Sequence, residues 1–172
     1  AWSVFTNPPR AAAIRAAQVA KAAGATVSFD PASYQMIREI GFDRFARYTR
    51  DLPVDILFPN RDEGEAMTGE SEPAAIAEEL FERYNHAVIA LKLDKDGCFV
   101  RAEGHAQHYP TGEGAARDAT GAGDAFNGAF LARYLRDGDL AAAAQLANAT
   151  GSWVVARFGA RPALDDELRK VL

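Results

Sequence analysis

Helical segments alternate with short apolar runs along the first half of the chain, and this alternation constrains the fold more than any other feature. Residues 26–29, 54–59 and 87–93 form apolar runs that are typical of buried strands. The segments between and before them have helical spacing, and the first is bounded by Pro8 at its start and Gly24 past its end. Apolar strands joined by helices are typical of a parallel sheet that is covered on both faces.

The second half of the chain predicts a hairpin and then a helical region. Gly97 turns the chain into a strand at Cys98–Arg101, and a return strand follows near Gln107–Tyr109. Beyond a turn, the pattern is helical over Ala125–Arg136 and Leu140–Val155. We therefore predict an α/β fold, a doubly wound and mostly parallel sheet with helices on both faces and a small antiparallel hairpin at one edge.

Composition excludes several classes of function. The chain has 172 residues, 48% of them hydrophobic, which is enough for one domain with a sizeable core. A formal net charge of −5 at pH 7 argues against binding to nucleic acid. No apolar run reaches the roughly 20 residues of a membrane helix. The single Cys98 leaves no internal disulfide and fits a cytoplasmic protein.

The segment Asp-Ala-Thr-Gly-Ala-Gly-Asp-Ala-Phe at residues 118–126 carries the strongest functional signal. Small residues at Gly121–Gly123 would let backbone N–H groups face a bound anion at the start of a helix, where the helix dipole adds positive charge. A carboxylate at Asp124 would repel that anion, unless it takes a proton from an incoming hydroxyl. Spacing alone leaves a second interpretation open, a tight turn in which Thr120 caps the helix and Asp124 complements its dipole.

Asn60 is followed three residues later by Glu63, and this pattern also has two interpretations. The pair can form a capping box, in which each side chain bonds the backbone N–H of the other residue. Alternatively, it can organise a hydrated Mg²⁺, which needs only one or two side chains. Capping is the commoner outcome. Lys92 at a strand end and Asn148 on a helix give weaker signals, for which solvated turn charge and helix packing are the ordinary explanations.

Taken in this order, these segments resemble the ribokinase-like carbohydrate kinases, the PfkB-type family. Residues 118–126 are similar to the specific D-[TA]-T-G-A-G-D-x-F element of that family, and residues 60–63 to its N-x-x-E element. Family members are considerably longer on the N-terminal side, and this chain begins with Ala1 rather than Met. We therefore expect residues 1–172 to be the nucleotide-binding and catalytic portion of a larger kinase domain, without its N-terminal substrate and lid portion.

The resemblance implies ATP-dependent phosphorylation of a hydroxyl on a sugar or sugar-like small molecule. Asp124 would be the general base. The backbone N–H groups of Gly121, Ala122 and Gly123 would form an anion hole that stabilises charge on the transferred phosphoryl group.

The resemblance also implies where ATP, Mg²⁺ and a monovalent cation, K⁺, would bind. The implied residues are Asn60 and Glu63 for Mg²⁺ through water, Lys92 and Gly97 along the nucleotide, and Asn148 near its base or ribose. Around K⁺ they are Asp118 and Thr120, with the backbone carbonyls around Arg157 to Gly159. One departure is Asp94, because the family often has glycine at that position. Its carboxylate would either weaken ATP binding or point outward.

Two alternatives stay open within the same fold. One is a non-catalytic module that binds a nucleotide or a sugar, and the other is a kinase for a nucleoside or a vitamin precursor. Asp124 favours catalysis, because a pure binding module has little use for a carboxylate beside an anion hole. We also expect a homo-oligomer, or association through an open sheet edge. A well-behaved monomer in analytical ultracentrifugation would count against that expectation.

Overall fold

A computed structural model describes residues 2–112 and 114–171 of the chain. Within these residues the strands are β1 Ser28–Phe29, β2 Ile56–Leu57, β3 Val88–Lys92, β4 Cys98–Ala102 and β5 His105–Tyr109. The α-helices are α1 Pro9–Ala22, α2 Tyr34–Ile40, α3 Phe42–Thr49, α4 Arg61–Thr68, α5 Pro73–Arg83, α6 Ala122–Asp137, α7 Leu140–Val155 and α8 Asp166–Val171. Short 3₁₀ turns lie at Trp2–Val4 and Asp94–Asp96.

The five strands form one mixed sheet in the order β1-β2-β3-β4-β5. The first three run parallel, with Ser28 opposite Ile56 and Ile56 opposite Val88. β4 and β5 are joined by Glu103 and Gly104 alone, and a connection of two residues between paired strands requires an antiparallel hairpin. The predicted α/β fold with an edge hairpin is confirmed.

The first two strands are shorter than their apolar runs predict. Extended pairing continues past their ends, because the Asp55 backbone N–H donates to the Val27 carbonyl at 2.8 Å. The Asp55 side chain also accepts the Val27 N–H at 2.9 Å, which replaces a regular ladder bond with a side-chain bond. At the other end of β2, Pro59 has no N–H, and its carbonyl accepts the Lys92 N–H at 2.9 Å.

The chain divides into two compact units, one made of the residues up to 93 with 99–107, the other of 94–98 with the residues from 108 onward. Large side chains that are fully buried fill the core of the first unit: Phe45, Met67, Leu80, Phe81, Ile89 and Leu91. In the second unit Trp153, Val154 and Leu168 form a buried cluster on which Ala122 and Ala125 pack.

None of the helices that the structure describes is both long enough and apolar enough to cross a membrane.

Candidate active site

The start of α6 carries the predicted anion hole. Gly121 is the N-cap residue, with a φ of 81°, and no side chain of the described residues caps this end. Since the first N–H groups of an α-helix have no acceptor inside the helix, the start of α6 presents donors outward. The Ala125 N–H donates to the Gly121 carbonyl at 2.9 Å, in the four-residue spacing of the α-helix. The alternative in which Thr120 caps the helix is therefore wrong.

One of the three predicted donors already has an acceptor within the protein. The Ala122 N–H donates to the Ala119 carbonyl at 3.2 Å, which is the long end of the range for such bonds. An anion would therefore have to displace this weak turn bond to recruit Ala122. A predicted anion hole at this place would consequently depend more on the Gly121 and Gly123 N–H groups than the sequence indicates.

Asp124 lies in the first turn of α6, and its side chain is exposed. A carboxylate at this place complements the positive end of the helix dipole. Because the side chain is accessible, an incoming hydroxyl can also approach it. Geometry thus permits both the electrostatic role and the role as a general base.

Asp118 fastens the segment that precedes the anion hole. Its Oδ1 accepts the Thr120 N–H at 2.9 Å, and its Oδ2 accepts the Gly159 N–H at 2.8 Å. Hydrogen bonding from the Thr120 side chain, followed by the two backbone N–H groups, lowers the pKa of Asp118 to about 2. The structure therefore brings Asp118, Thr120 and Gly159 together. The Arg157 side chain bonds Asp165 and Glu167, but the K⁺ role expected at Arg157 concerns its backbone carbonyl and stays a prediction, as does the K⁺ site.

Gly121 lies so close to the next loop that no larger residue fits. A Cβ atom built at Gly121 would lie 2.5 Å from the Ala160 carbonyl oxygen and 2.8 Å from the Ala160 Cα. Its positive φ also favours glycine. The loop that follows α7 thus packs directly behind the turn that opens α6.

Asn60 and Glu63 form a capping box at the start of α4. Asn60 Oδ1 accepts the Glu63 N–H at 2.8 Å, and Glu63 Oε2 accepts the Asn60 N–H at 2.9 Å. The Glu63 side chain is buried, and burial raises its pKa, with a further contribution from the nearby Asp30 carboxylate. The Asn60 N–H and the Lys92 ammonium oppose this rise. The capping role is confirmed, and the Mg²⁺ role stays a prediction.

Lys92 forms an ion pair that the sequence did not indicate. Its Nζ lies 2.7 Å from Asp30 Oδ2, and its side chain is only 14% exposed. Asp30 directly follows β1, Asn60 pairs with Lys92 just past β2, and Lys92 ends β3. Ligands of open α/β sheets bind at the carboxyl ends of parallel strands. The position of Asp30, directly after a predicted strand, was therefore the sequence signal that could have indicated its place beside Lys92.

Gly97 and Asn148 have structural roles in the second unit. A Cβ atom at Gly97 would lie 2.1 Å from the Tyr109 carbonyl oxygen, so the close approach of two backbone segments requires glycine. Asn148 is buried, and its Nδ2 donates to the same Tyr109 carbonyl at 2.8 Å. Their predicted positions beside a nucleotide stay predictions. Asp94 is exposed and has a φ of 53°, a conformation that aspartate tolerates better than most residues.

Comparison with known proteins identifies relatives along nearly all of the chain. Residues 3–167 match the profile of the pfkB family carbohydrate kinases. An ATP-dependent ribose-1-phosphate kinase from Halopiger xanaduensis is 36% identical over 161 residues, which are 91% of this chain and 48% of that protein. The chain spans about half the length of the curated relatives it matches.

Solved structures are similar in fold. Ribokinase from Thermotoga maritima is 30% identical with a TM-score of 0.69, covering 91% of this chain and 52% of that one. A ribokinase II from E. coli in complex with ATP and Mg²⁺ is 25% identical with a TM-score of 0.78, covering 91% and 51%. Every candidate site residue named above lies within the matched family range.

Proposed function

The chain belongs to the pfkB family of carbohydrate kinases, and from this premise we propose that it forms the nucleotide-binding and catalytic portion of a kinase. This kinase transfers the γ-phosphoryl group of ATP to a hydroxyl of a sugar or a sugar-like alcohol. The observation that carries the proposal is the start of α6, where the exposed Asp124 carboxylate stands in the first turn of a helix that no described side chain caps.

The proposed reaction uses two kinds of group, backbone N–H donors and one carboxylate. The N–H groups of Gly121 and Gly123, joined by that of Ala122 once its bond to the Ala119 carbonyl is displaced, stabilise the negative charge that is spread over the transferred phosphoryl oxygens. Asp124 accepts the proton of the attacking hydroxyl as the new O–P bond forms and the bond to the leaving ADP breaks. Small residues matter here because phosphate oxygens must approach the backbone closely.

The cations in the proposal fit the oxygen donors that the chain offers. Asn60 and Glu63 would hold a hydrated Mg²⁺, since carboxylate and amide oxygens are the ligands it prefers. When bound, Mg²⁺ neutralises charge on the nucleotide phosphates. Asp118, with its pKa of about 2, would stay ionised beside K⁺. Association through β1, which stands at one end of the order of the described strands, also belongs to the proposal.

Substitutions at Asn60 and Glu63 separate the capping role from the metal role. Asn60→Ala is expected to cost about 1 kcal/mol of stability, because it removes the N-cap. Glu63→Gln keeps an acceptor for the Asn60 N–H, since Gln also completes a capping box. Because the pKa of Glu63 is raised in the folded state, its ionised form lowers stability at neutral pH. The melting temperature of Glu63→Gln should therefore stay the same or rise.

The metal role predicts a different pattern in the kinase assay. Glu63→Gln should then need more Mg²⁺ for half-maximal ADP release, despite its undiminished melting temperature. Asn60→Ser keeps a capping oxygen and serves as the matched control for stability. An unchanged Mg²⁺ dependence in Glu63→Gln would leave the capping box as the complete role of this residue.

A screen of acceptors with the complete kinase, of which this chain is the proposed portion, tests the proposed function directly. ADP release should require ATP, Mg²⁺ and one member of a panel of pentoses, hexoses, sugar phosphates, sugar acids and nucleosides. Ribose 1-phosphate is the first compound to test, because the relative with 36% identity is named for it. A nucleoside acceptor would favour the nucleoside-kinase alternative. Nucleotide or sugar binding without ADP release under any condition would instead favour the non-catalytic module.

A further inference from the structure

The Arg157 side chain joins the end of α7 to the start of α8. Its Nε donates to Asp165 Oδ2 at 3.0 Å, and its Nη2 donates to Glu167 Oε2 at 2.6 Å. Its Nη1 donates to the Trp153 carbonyl at 2.8 Å, at the negative end of the α7 dipole. The guanidinium carbon also lies 4.3 Å from the centre of the Trp153 ring, within the range of a cation–π contact.

Asp165 completes this arrangement from the other side. Its Oδ1 accepts the Trp153 Nε1–H at 2.8 Å and the Leu168 N–H at 3.0 Å. The Leu168 N–H, with help from Trp153 and Arg157, lowers the pKa of Asp165 to about 2, so the carboxylate is ionised at neutral pH. We call Trp153, Arg157 and Asp165 the clip.

The clip closes the loop of residues 158–164, which contacts Asp118 just before the anion hole and Gly121 within it. Within this loop, the Gly159 N–H donates to Asp118 at 2.8 Å. The next residue, Ala160, lies against Gly121 so closely that a Cβ atom there would be 2.5 Å from the Ala160 oxygen. Both contacts fix the turn whose N–H groups face the proposed phosphoryl site.

The clip also contacts the first turn of α6 through the cluster that contains the Trp153 side chain. Trp153 is 8% exposed and packs with Val154 and Leu168 in one cluster. Ala122 and Ala125, from the first turn of α6, pack on that cluster. A shift of the Trp153 ring would therefore move the residues at the start of α6 that pack on this cluster.

We infer that the clip holds the Gly121–Gly123 amides in position, so that Trp153, Arg157 and Asp165 are positioning residues for phosphoryl transfer. The inference rests on the proposed function for its catalytic consequence. Backbone donors stabilise a transition state because they are fixed before the reaction and need no reorganisation. Without the bond between Arg157 and Asp165, the loop would let these donors move, and they would stabilise the transition state less.

Arg157→Met tests the clip, with Arg133→Met as the matched control. Both arginines are about one fifth exposed (22% and 19%), and each pairs with two carboxylates, but Arg133 lies near the far end of α6. Amide hydrogen exchange of residues 118–124 is measured in the 172-residue chain. We expect this segment to exchange about tenfold faster in Arg157→Met and at the wild-type rate in Arg133→Met. Equal exchange in the two variants would overturn the inference.

Asp165→Asn provides the second variant, in case Arg157→Met fails to fold. Asparagine keeps an oxygen for the Trp153 and Leu168 donors and replaces the charged oxygen that accepts from Arg157 with an NH₂ group. Residues 118–124 should therefore again exchange faster than in wild type. Wild-type exchange in a folded Asp165→Asn would contradict the clip.

Kinetics test the positioning role separately from stability. With the acceptor found in the screen, Arg157→Met should lower kcat about tenfold and change KM for ATP less than about twofold, because nucleotide binding does not need the donors fixed in transition-state geometry. Faster exchange combined with a normal kcat would refute the positioning role. If the complete wild-type kinase, of which this chain is the proposed portion, phosphorylates no acceptor, the proposed function fails, and the exchange experiment alone decides whether the clip holds the turn.

Discussion

Asp124→Asn in the complete kinase is expected to lower kcat by about 10²–10⁴-fold, the usual loss when a general base is removed. Asparagine has nearly the same shape, but it cannot accept the proton of the attacking hydroxyl. Affinity for ATP should stay the same or increase, because a negative charge leaves the neighbourhood of the phosphates. Steady-state ADP release and a direct binding measurement with a non-hydrolysable ATP analogue give the two quantities.

Asp43→Asn is the matched control for the effect of the helix dipole. Asp43 is also an exposed aspartate in the first turn of a helix, α3, and each substitution should cost about 0.3–1 kcal/mol through the dipole. If Asp124 only complements the dipole, the two variants will lose similar stability and both will keep normal turnover. That outcome would remove Asp124 from the proposed mechanism.

Gly121→Ala should damage both stability and turnover. A residue with a Cβ atom pays about 1–2 kcal/mol in the left-handed conformation that Gly121 adopts, with its φ of 81°. The Ala160 oxygen, 2.5 Å from the new atom, must also move, which adds about 1–3 kcal/mol. Displacing this loop would misplace the anion-hole donors, and losing such a donor lowers kcat by about 10²–10³-fold.

Gly138→Ala isolates the contact from the backbone conformation. Gly138 ends the same helix with a φ of 75°, and a Cβ atom there would meet nothing within 4 Å. It should therefore pay only the conformational cost and leave kcat unchanged. Chemical denaturation gives the free energy of unfolding of the two variants. Equal losses would show that the contact with Ala160 does not contribute to the cost of Gly121→Ala.

Local patterns allowed correct predictions where a few neighbouring residues decide the outcome. Asn60 and Glu63, three residues apart, predict a capping box, and the structure contains it. The α6 and α7 helices follow from their residue pattern, although α6 begins at Ala122 rather than at the predicted Ala125. The αL conformation of Gly121 lets the helix start earlier, and a spacing argument does not include that conformation.

Contacts between distant residues were not predictable from spacing. Lys92 and Asp30 are 62 residues apart, and only the parallel order of the strands brings them together. Asn148 was predicted beside a nucleotide, but its amide bonds a carbonyl 39 residues earlier. The clip likewise depends on how the chain returns after α7. The family and the fold are established, whereas the individual site roles stay predictions.

If a nucleotide binds at this edge, as proposed, the ion pair at the ends of β1 and β3 would determine which ionic form of the nucleotide is accepted. Lys92 already has Asp30 as its counter-ion, and the buried Glu63 lies near both. When Glu63 is ionised, these three groups sum to one negative charge. Bare triphosphate would meet repulsion here, whereas a triphosphate that brings its own divalent cation would supply the missing positive charge. The edge would thus discriminate against uncomplexed ATP without any contact to the base or the ribose.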